Sequence, residues 1–293
     1  MKAITIKLPP EGVVPEGIIQ FVHGMCEHKG RYEHVLEHFS EKGFICAIAD
    51  LKGHGENVTT SDDLGYFGKN GDRTLVEETH DFSMYLKREY PDLPLILVGH
   101  SMGSLIARAY IKKYDSDIDL LILSGSPSAN SAAAAGQLLI RVMALFMGWR
   151  YRSPLIAGMV TGQFEKPFEK EGIKNAWVCS DPAVVDQYNK DPLCGFMFTL
   201  NGYCCLLSLM RSVYARDGWK KKNPDLRIAF LSGSADPCRV NDRAFHAAVN
   251  HLKNVGYKNT AGKLYPGLRH EIFNEKTNYK VFSDMEKIIS DTI

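Results

Sequence analysis

Three side chains far apart in the chain have the types and the order that acyl transfer requires. They are Ser101 in Gly99-His100-Ser101-Met102-Gly103, Asp236 in Gly233-Ser234-Ala235-Asp236-Pro237, and His270 in Tyr265-Pro266-Gly267-Leu268-Arg269-His270-Glu271. A serine hydroxyl is a weak nucleophile until a base takes its proton, and that base must be oriented by an acid. Ser101 lies in a G-x-S-x-G pentapeptide, which turns sharply from strand to helix and lifts the hydroxyl above the carboxyl edge of a sheet. Side chains at Gly99 and Gly103 would collide in that turn. The helix that follows offers free N–H groups and a dipole to developing negative charge. A plain Gly/Ser turn also matches the five residues. The flanks separate the two accounts, because Leu95 to Val98 read as a buried strand and Leu105 to Tyr114 as a helix.

Where a nucleophile sits on such a turn, its partners follow in the order acid then histidine. Asp236 comes directly after the apolar run Leu226 to Gly233, and His270 follows the last strand-like segment. The rivals are less well placed. His246 and His251 fall inside a predicted helix, His28, His34 and His38 precede the serine, and His80 lies on a helix among charged neighbours. His100 is locked beside Ser101, where it can pack or hydrogen-bond but can hardly serve as base. Asp236 could instead cap a turn before Pro237; Asp217, Asp225 and Asp242 lie off the strand end or in the insertion described below. The oxyanion needs two main-chain donors. The expected pair is the N–H of Met102, after the nucleophile, and that of Met25, after the Ile18 to Val22 strand.

The elements that must position these groups alternate. Strands are predicted at Ile4 to Leu8, Gly17 to Val22, Phe44 to Ala49, the run before Ser101, Leu120 to Gly125, Leu226 to Gly233 and Gly262 to Tyr265. Helices are predicted at Arg31 to Lys42, Thr74 to Tyr90, the stretch after Ser101, Val240 to Lys253 and Lys276 to Ile289. That alternation predicts a mostly parallel α/β sheet with helices on both faces. It breaks at Pro127 and resumes after Asn223, so residues 1–126 and 224–293 form the core and 127–223 a helical insertion. Within the insertion, Ala132 to Trp149 and Gly195 to Ser212 read as helices. In the first, Gln137, Arg141, Ala144 and Gly148 form a small or polar strip, and Leu138, Leu139, Val142, Met143, Leu145, Phe146, Met147 and Trp149 cover the rest. Two accounts fit so wide an apolar arc. One is a core helix buried on most sides; the other is a cap over Ser101, greasy inside, whose outer wall touches a membrane surface.

Composition sets the outer bounds. With 45% apolar and 24% charged residues and a formal charge of +1, nothing calls for nucleic acid or a strongly acidic partner. Met1 to Lys7 is too short and too alternating for a leader's apolar core. No apolar run approaches the roughly 18 to 20 residues that cross a bilayer. Seven scattered cysteines, without metal spacing, predict free thiols in a reducing cytosol. Cys26 and Cys238, beside the candidate loops, are expected to act as small buried hydrophobes.

Several blocks carry a further signal. Phe21-Val22-His23-Gly24-Met25-Cys26-Glu27-His28 with Arg31-Tyr32, Asp50 with Gly53-His54-Gly55, the Gly99 to Gly103 pentapeptide, Gly233-Ser234-Ala235-Asp236, and Tyr265-Pro266-Gly267 with His270-Glu271 resemble the monoacylglycerol lipase and lysophospholipase group of α/β-hydrolases, a serine aminopeptidase-like group. The resemblance spans the chain except the insertion, where length and greasy character match. It implies an eight-stranded sheet, a helical cap between strands six and seven, Ser101, Asp236 and His270 as the triad, and no metal or organic cofactor. The short segment before Ile18 departs from the pattern, so one of the first two strands is expected to be missing or reduced, leaving seven or eight. Ser104 stands where these lipases often carry glycine. The activity expected is hydrolysis of an acyl ester, a monoacylglycerol or a lysophospholipid. A short-chain carboxylesterase or peptidase-like enzyme is the alternative, and a small-molecule receptor on the same fold is the reading without catalysis.

Overall fold

The computed structural model describes residues 3–293, so the first two residues of the Met1 to Lys7 stretch lie outside the described residues. The strands are β1 (Ile4–Lys7), β2 (Gly17–Val22), β3 (Phe44–Ala49), β4 (Leu95–His100), β5 (Leu120–Ser124), β6 (Arg227–Gly233) and β7 (Thr260–Tyr265). They form one sheet in the order β1-β3-β2-β4-β5-β6-β7. β1 runs antiparallel to β3 and every other pairing is parallel. Strand order reverses between β2 and β4, and the crevice at the carboxyl ends there is where open α/β sheets bind ligands.

The helices of the core are α1 (Glu33–Glu41), α2 (Gly71–Glu89) and α3 (Met102–Tyr114). Those of the insertion are α4 (Ala133–Met147), α5 (Pro154–Val160), α6 (Gly162–Glu165), α7 (Pro182–Lys190) and α8 (Leu200–Tyr214). The core closes with α9 (Asp242–Asn254) and α10 (Asn278–Ser290). Successive residues of each strand point to opposite faces, and the two faces carry separate cores. Ile18, Leu95, Leu97, Leu121 and Leu123 meet α2, α3, α8 and α9. Ile19, Phe21, Ile96, Val98 and Ile122 meet Phe39 of α1 and Val281, Phe282 and Met285 of α10. With both faces covered, the central strands read as continuous apolar runs instead of alternating.

Some boundaries differ from expectation. α2 begins at Gly71, not Thr74, because Asn70 turns into the left-handed region and its carbonyl accepts the N–H of both Arg73 and Thr74 at 3.0 Å. α9 begins at Asp242, not Val240, because Asn241 caps it, accepting the Ala244 N–H at 2.9 Å. The sheet has seven strands among the described residues, not eight. The insertion accordingly follows the fifth strand in sequence, β5, rather than the sixth. α5, α6 and α7 went unpredicted, being short and carrying no sustained periodicity.

The first account of the Ala132 to Trp149 helix does not hold. α4 is not buried on most sides. It buries Ala133, Gln137, Ile140 and Ala144 and leaves Leu145 and Phe146 more than 80% exposed. The line that packs takes Gln137 and Ala144 from the small or polar strip, whose Arg141 and Gly148 stay exposed. α4 lies on α8, which packs in turn on α2 and α3 and fastens the insertion to the core.

Candidate active site

β4 delivers Ser101 to the sheet edge and α3 starts on the next residue. Ser101 has φ 52° and ψ −117°, a strained conformation for a residue with a side chain. The surroundings enforce it. A Cβ on Gly103 would lie 2.1 Å from the Val22 carbonyl oxygen, and one on Gly99 would lie 2.5 Å from the carbonyl oxygen of Gly103. The Ser101 N–H donates to Ser124 at 2.9 Å, and the Ser104 hydroxyl donates back to the Ser101 carbonyl at 2.5 Å. Ser104 therefore braces the elbow from within α3.

The loop after β2 faces this turn. His23 accepts the Leu51 N–H at 2.9 Å through Nε2, and His54 accepts the Cys26 N–H at 3.3 Å. Cys26 itself takes a left-handed φ of 57°. Gly24 donates its N–H to the buried Glu27 carboxylate, which also accepts the Tyr32 hydroxyl at 3.0 Å and Arg31 at 3.1 Å. These bonds fix the backbone around Met25. Met102 is the first residue of α3, so its N–H has no acceptor inside the helix.

Asp236 and His270 meet beside the elbow. His270 Nδ1 lies 3.0 Å from Asp236 Oδ2, though its N–H is not aligned well enough for a regular hydrogen bond. The other Asp236 oxygen accepts the Cys238 N–H at 2.8 Å. Burial alone would lower the pKa of His270; attraction to Asp236 outweighs it and holds the imidazole well above its ordinary value. Burial would likewise raise Asp236, and His270 with the Cys238 N–H holds it down. His100 is buried, 3.3 Å from the Ser124 hydroxyl, and burial with the nearby His270 pushes its pKa down to about 3. It stays neutral and packs, as expected.

Ser101 and His270 line one cavity of about 600 Å³, together with Met25 and Met102. Among the described residues no hydrogen bond joins the Ser101 hydroxyl to His270; Nε2 has Cys238 Sγ at 4.0 Å. Such contacts are commonly long in unliganded sites and tighten with substrate. The insertion supplies much of the wall, including Met159, Phe164, Phe196, Leu206 and Met210. Trp177 packs on the His270 ring at 5.0 Å between centroids.

Two groups bring three donor atoms within 4.8 Å of one another, His28-Asp191-Cys194 and Asp236-Cys238-His270. His28 Nδ1 accepts the Gly30 N–H, so Nε2 carries the proton that it gives Asp191 at 2.8 Å. Burial pushes the Cys238 thiol up to about 11, leaving it neutral. All seven cysteines are free and all but Cys204 are buried.

Sequence reasoning did not assign roles to Glu27, Arg31 and Glu271. Arg31 forks onto Glu271, with Nη2 2.7 Å from Oε2, and reaches Glu27 with Nη1. It also lies 4.8 Å over the Tyr188 ring of α7. One guanidinium thereby ties the Met25 loop, the His270 loop and the insertion together. The only signal in the sequence was two acids and an arginine inside otherwise buried blocks.

A family model described as serine aminopeptidase, S33, matches residues 14–277. The monoacylglycerol lipase of Mycolicibacterium smegmatis is 28% identical over 92% of this chain and 87% of its own. The phospholipase YtpA of Bacillus subtilis is 24% identical over 92% and 93%. The crystal structure of a thermostable carboxyl esterase from Bacillus coagulans, in complex with glycerol, superposes with a TM-score of 0.90 at 28% identity, over 99% of this chain and 93% of that one. With its sheet order, elbow and family match, the chain belongs to the serine aminopeptidase S33 family of α/β-hydrolases.

Proposed function

We propose that the protein is a serine ester hydrolase for single-chain acyl esters, a monoacylglycerol or a lysophospholipid, with residues 127–223 as its cap. Ser101 Oγ attacks the ester carbonyl while His270 Nε2 takes its proton. Asp236 holds Nδ1–H and stabilises the imidazolium. The N–H groups of Met25 and Met102 receive the oxyanion, a pair in which each donor is worth about a hundredfold or more in turnover. His270 then returns the proton to the leaving alcohol. Water, deprotonated by the same nitrogen, releases the fatty acid and restores the serine.

One observation carries this reading: a single cavity holds Ser101, His270, Met25 and Met102 at its floor and methionine, leucine and aromatic side chains on its walls. Its volume of about 600 Å³ is that of a small-molecule site. The named activities of the mycobacterial and Bacillus subtilis relatives support the substrate class. The cap's outer face, with Leu138, Leu145, Phe146 and Leu155 all more than 60% exposed, supports contact with a membrane surface where such substrates reside. Among the described residues no helix is long and apolar enough to cross a membrane.

Ser101→Ala is expected to abolish both monoacylglycerol turnover and labelling by a fluorophosphonate probe; retained turnover would refute the assignment. The likeness to a carboxyl esterase favours one alternative, a short-chain esterase. A series of p-nitrophenyl esters decides between them. A maximum at acetate or butyrate, with no cleavage of monoacylglycerol or lysophospholipid, selects the alternative.

A further inference from the structure

A second cavity, of about 670 Å³, lies against the other flank of α4. The helical repeat divides this helix three ways. Gly136 faces the cavity of Ser101, Gln137 and Arg141 face the second cavity, and Leu138, Val142, Leu145 and Phe146 face outward.

The charges around the second cavity do not balance. Lys69, Arg73 and Arg141 are exposed at its wall, and none of their side chains makes an ion pair or hydrogen bond among the described residues. The one carboxylate in the wall, Asp72, accepts the Ser208 hydroxyl at 2.6 Å. Two of the neutral polar side chains are engaged internally: Asn201 accepts from Phe67 at 2.8 Å and donates to Gly68 at 2.9 Å, and Gln137 donates to Cys204 at 3.2 Å. With Asp72 counted, the wall keeps a net charge of +2, and its three cationic heads have no direct partner among the described residues. Trp149, 41% exposed, lines the same wall.

The occupant must suit the outward face too. Leu145 stands one helical turn from Arg141, and both it and Phe146 are more than 80% exposed. Water alone is a poor solvent for that ridge, and a neutral apolar partner leaves the cations unmatched. An anionic bilayer meets both needs, with phosphates at headgroup depth beside acyl chains, and tryptophan favours that boundary. We infer that the second cavity receives the phosphate of an anionic phospholipid while the α4 ridge enters the acyl layer. The inference rests on the membrane contact proposed for the cap and names the lipid chemistry that the cap selects.

The test is co-sedimentation of the full-length protein with vesicles of phosphatidylcholine alone or doped with phosphatidylglycerol. Each cation near an anionic surface is worth about fivefold in partition. Arg73→Gln/Arg141→Gln is therefore expected to weaken binding to the anionic vesicles by roughly 25-fold and to leave neutral-vesicle binding unchanged. Lys253→Gln/Lys280→Gln removes the same charge outside the cavity and is expected to leave the preference intact; an equal loss there would assign the effect to net charge and overturn the inference. Leu145→Ser/Phe146→Ser is expected to weaken binding to both vesicles. Wild-type binding that is equal on the two vesicles overturns the inference alone, and binding to neither overturns the membrane contact as well. Saturable binding of inorganic phosphate in solution, lost in Arg73→Gln/Arg141→Gln, would assign the cavity to a free anion instead. A soluble short-chain ester should be hydrolysed equally by every variant, which reads the hydrolase assignment separately.

Discussion

The floor and the roof of the cavity around Ser101 distribute their side chains in opposite ways. On the floor His23, Glu27, Asp50, Asp236, His270 and Glu271 are each no more than 5% exposed. On the roof Leu145 and Phe146 stand more than 80% exposed on a helix that buries Gln137. Interiors are ordinarily apolar, and their polar exceptions call for explanation. Beneath Ser101 the buried charges are paired, and what they secure is geometry: fixed loops can present N–H groups and an imidazole without reorganising. Above it, exposed apolar area weakens solubility, and a contiguous exposed apolar patch commonly marks an interaction surface. The floor is built to hold still, and the exposed ridge is the feature on which the proposed lipid contact rests.

Breaking the floor at its centre has the largest expected effect. Asp236→Asn retains an acceptor for the Cys238 N–H but loses the charge that orients and stabilises the His270 imidazolium. Turnover is expected to fall about 10⁴-fold with the thermal midpoint little changed. A loss smaller than tenfold in steady-state turnover would remove Asp236 from the proposed triad.

Next comes the brace beneath the triad. Arg31→Met leaves Glu27 and Glu271 buried without their shared guanidinium, a loss expected to cost about 3–5 kcal/mol. The pH dependence should also reverse at this site. In the native chain burial would raise Glu271, but Arg31 holds it below its ordinary value, so its contribution is present above about 4.5 and fades in acid. Without Arg31 burial prevails, Glu271 takes up a proton on folding, and the variant should lose less stability at pH 5 than at pH 8. Urea titrations at the two values check this, and an equal deficit at both would separate Arg31 from Glu271.

The same contrast sets how much was legible in the sequence. Chemistry that depends on local spacing was readable: a glycine two residues either side of Ser101, and an acid and a histidine each just past a strand. The strands were readable because burial on both faces leaves uninterrupted apolar runs such as Leu95 to Val98. The Arg31 fork was not, since its partners lie 4 and 240 positions away and only the fold unites them. The orientation of α4 was not either. Its apolar arc is wide enough that periodicity names no inward side, and α8 chose the strip with Gln137 and Ala144. The short segment before Ile18 left room for one of the usual first two strands, and among the described residues one strand, β1, precedes β2, at an edge of the sheet.

A smaller effect sharpens what the floor gives up for its rigidity. His100 must stay neutral when folded, with a pKa of about 3 against 6.5 in the open chain. The unfolded chain therefore binds the extra proton, and stability falls as pH drops below 6.5, by on the order of 1.4 kcal/mol per pH unit for this one group. His23 and His54 are also held down by burial and add to the slope. His100→Gln should reduce the slope of unfolding free energy between pH 6 and 4 by about one proton without flattening it. An unchanged slope would place the acid sensitivity elsewhere.

The smallest expected effect lies at the seam between floor and cavity. Val240 takes φ 67° and ψ −63° in a tight turn, with the Asn241 N–H bonded to the Arg239 carbonyl at 2.8 Å. A β-branched residue is poorly suited to that conformation, at a cost of order 1–3 kcal/mol. Its side chain is 65% exposed and recovers little by packing. Glycine accepts the turn freely but is more disordered when unfolded, which returns about 0.5–1 kcal/mol of the gain. Val240→Gly is thus expected to stabilise the fold by up to about 1–2 kcal/mol in urea titrations. Val240 also lines the cavity, so the variant separates two uses of one residue. If the side chain only fills the wall, KM for long acyl esters rises and kcat holds. If the strained turn aims the Asp236 loop, kcat falls although the protein is more stable, and the rigidity ascribed to the floor extends to its rim. Destabilisation on substitution would show that the turn carries no strain to relieve.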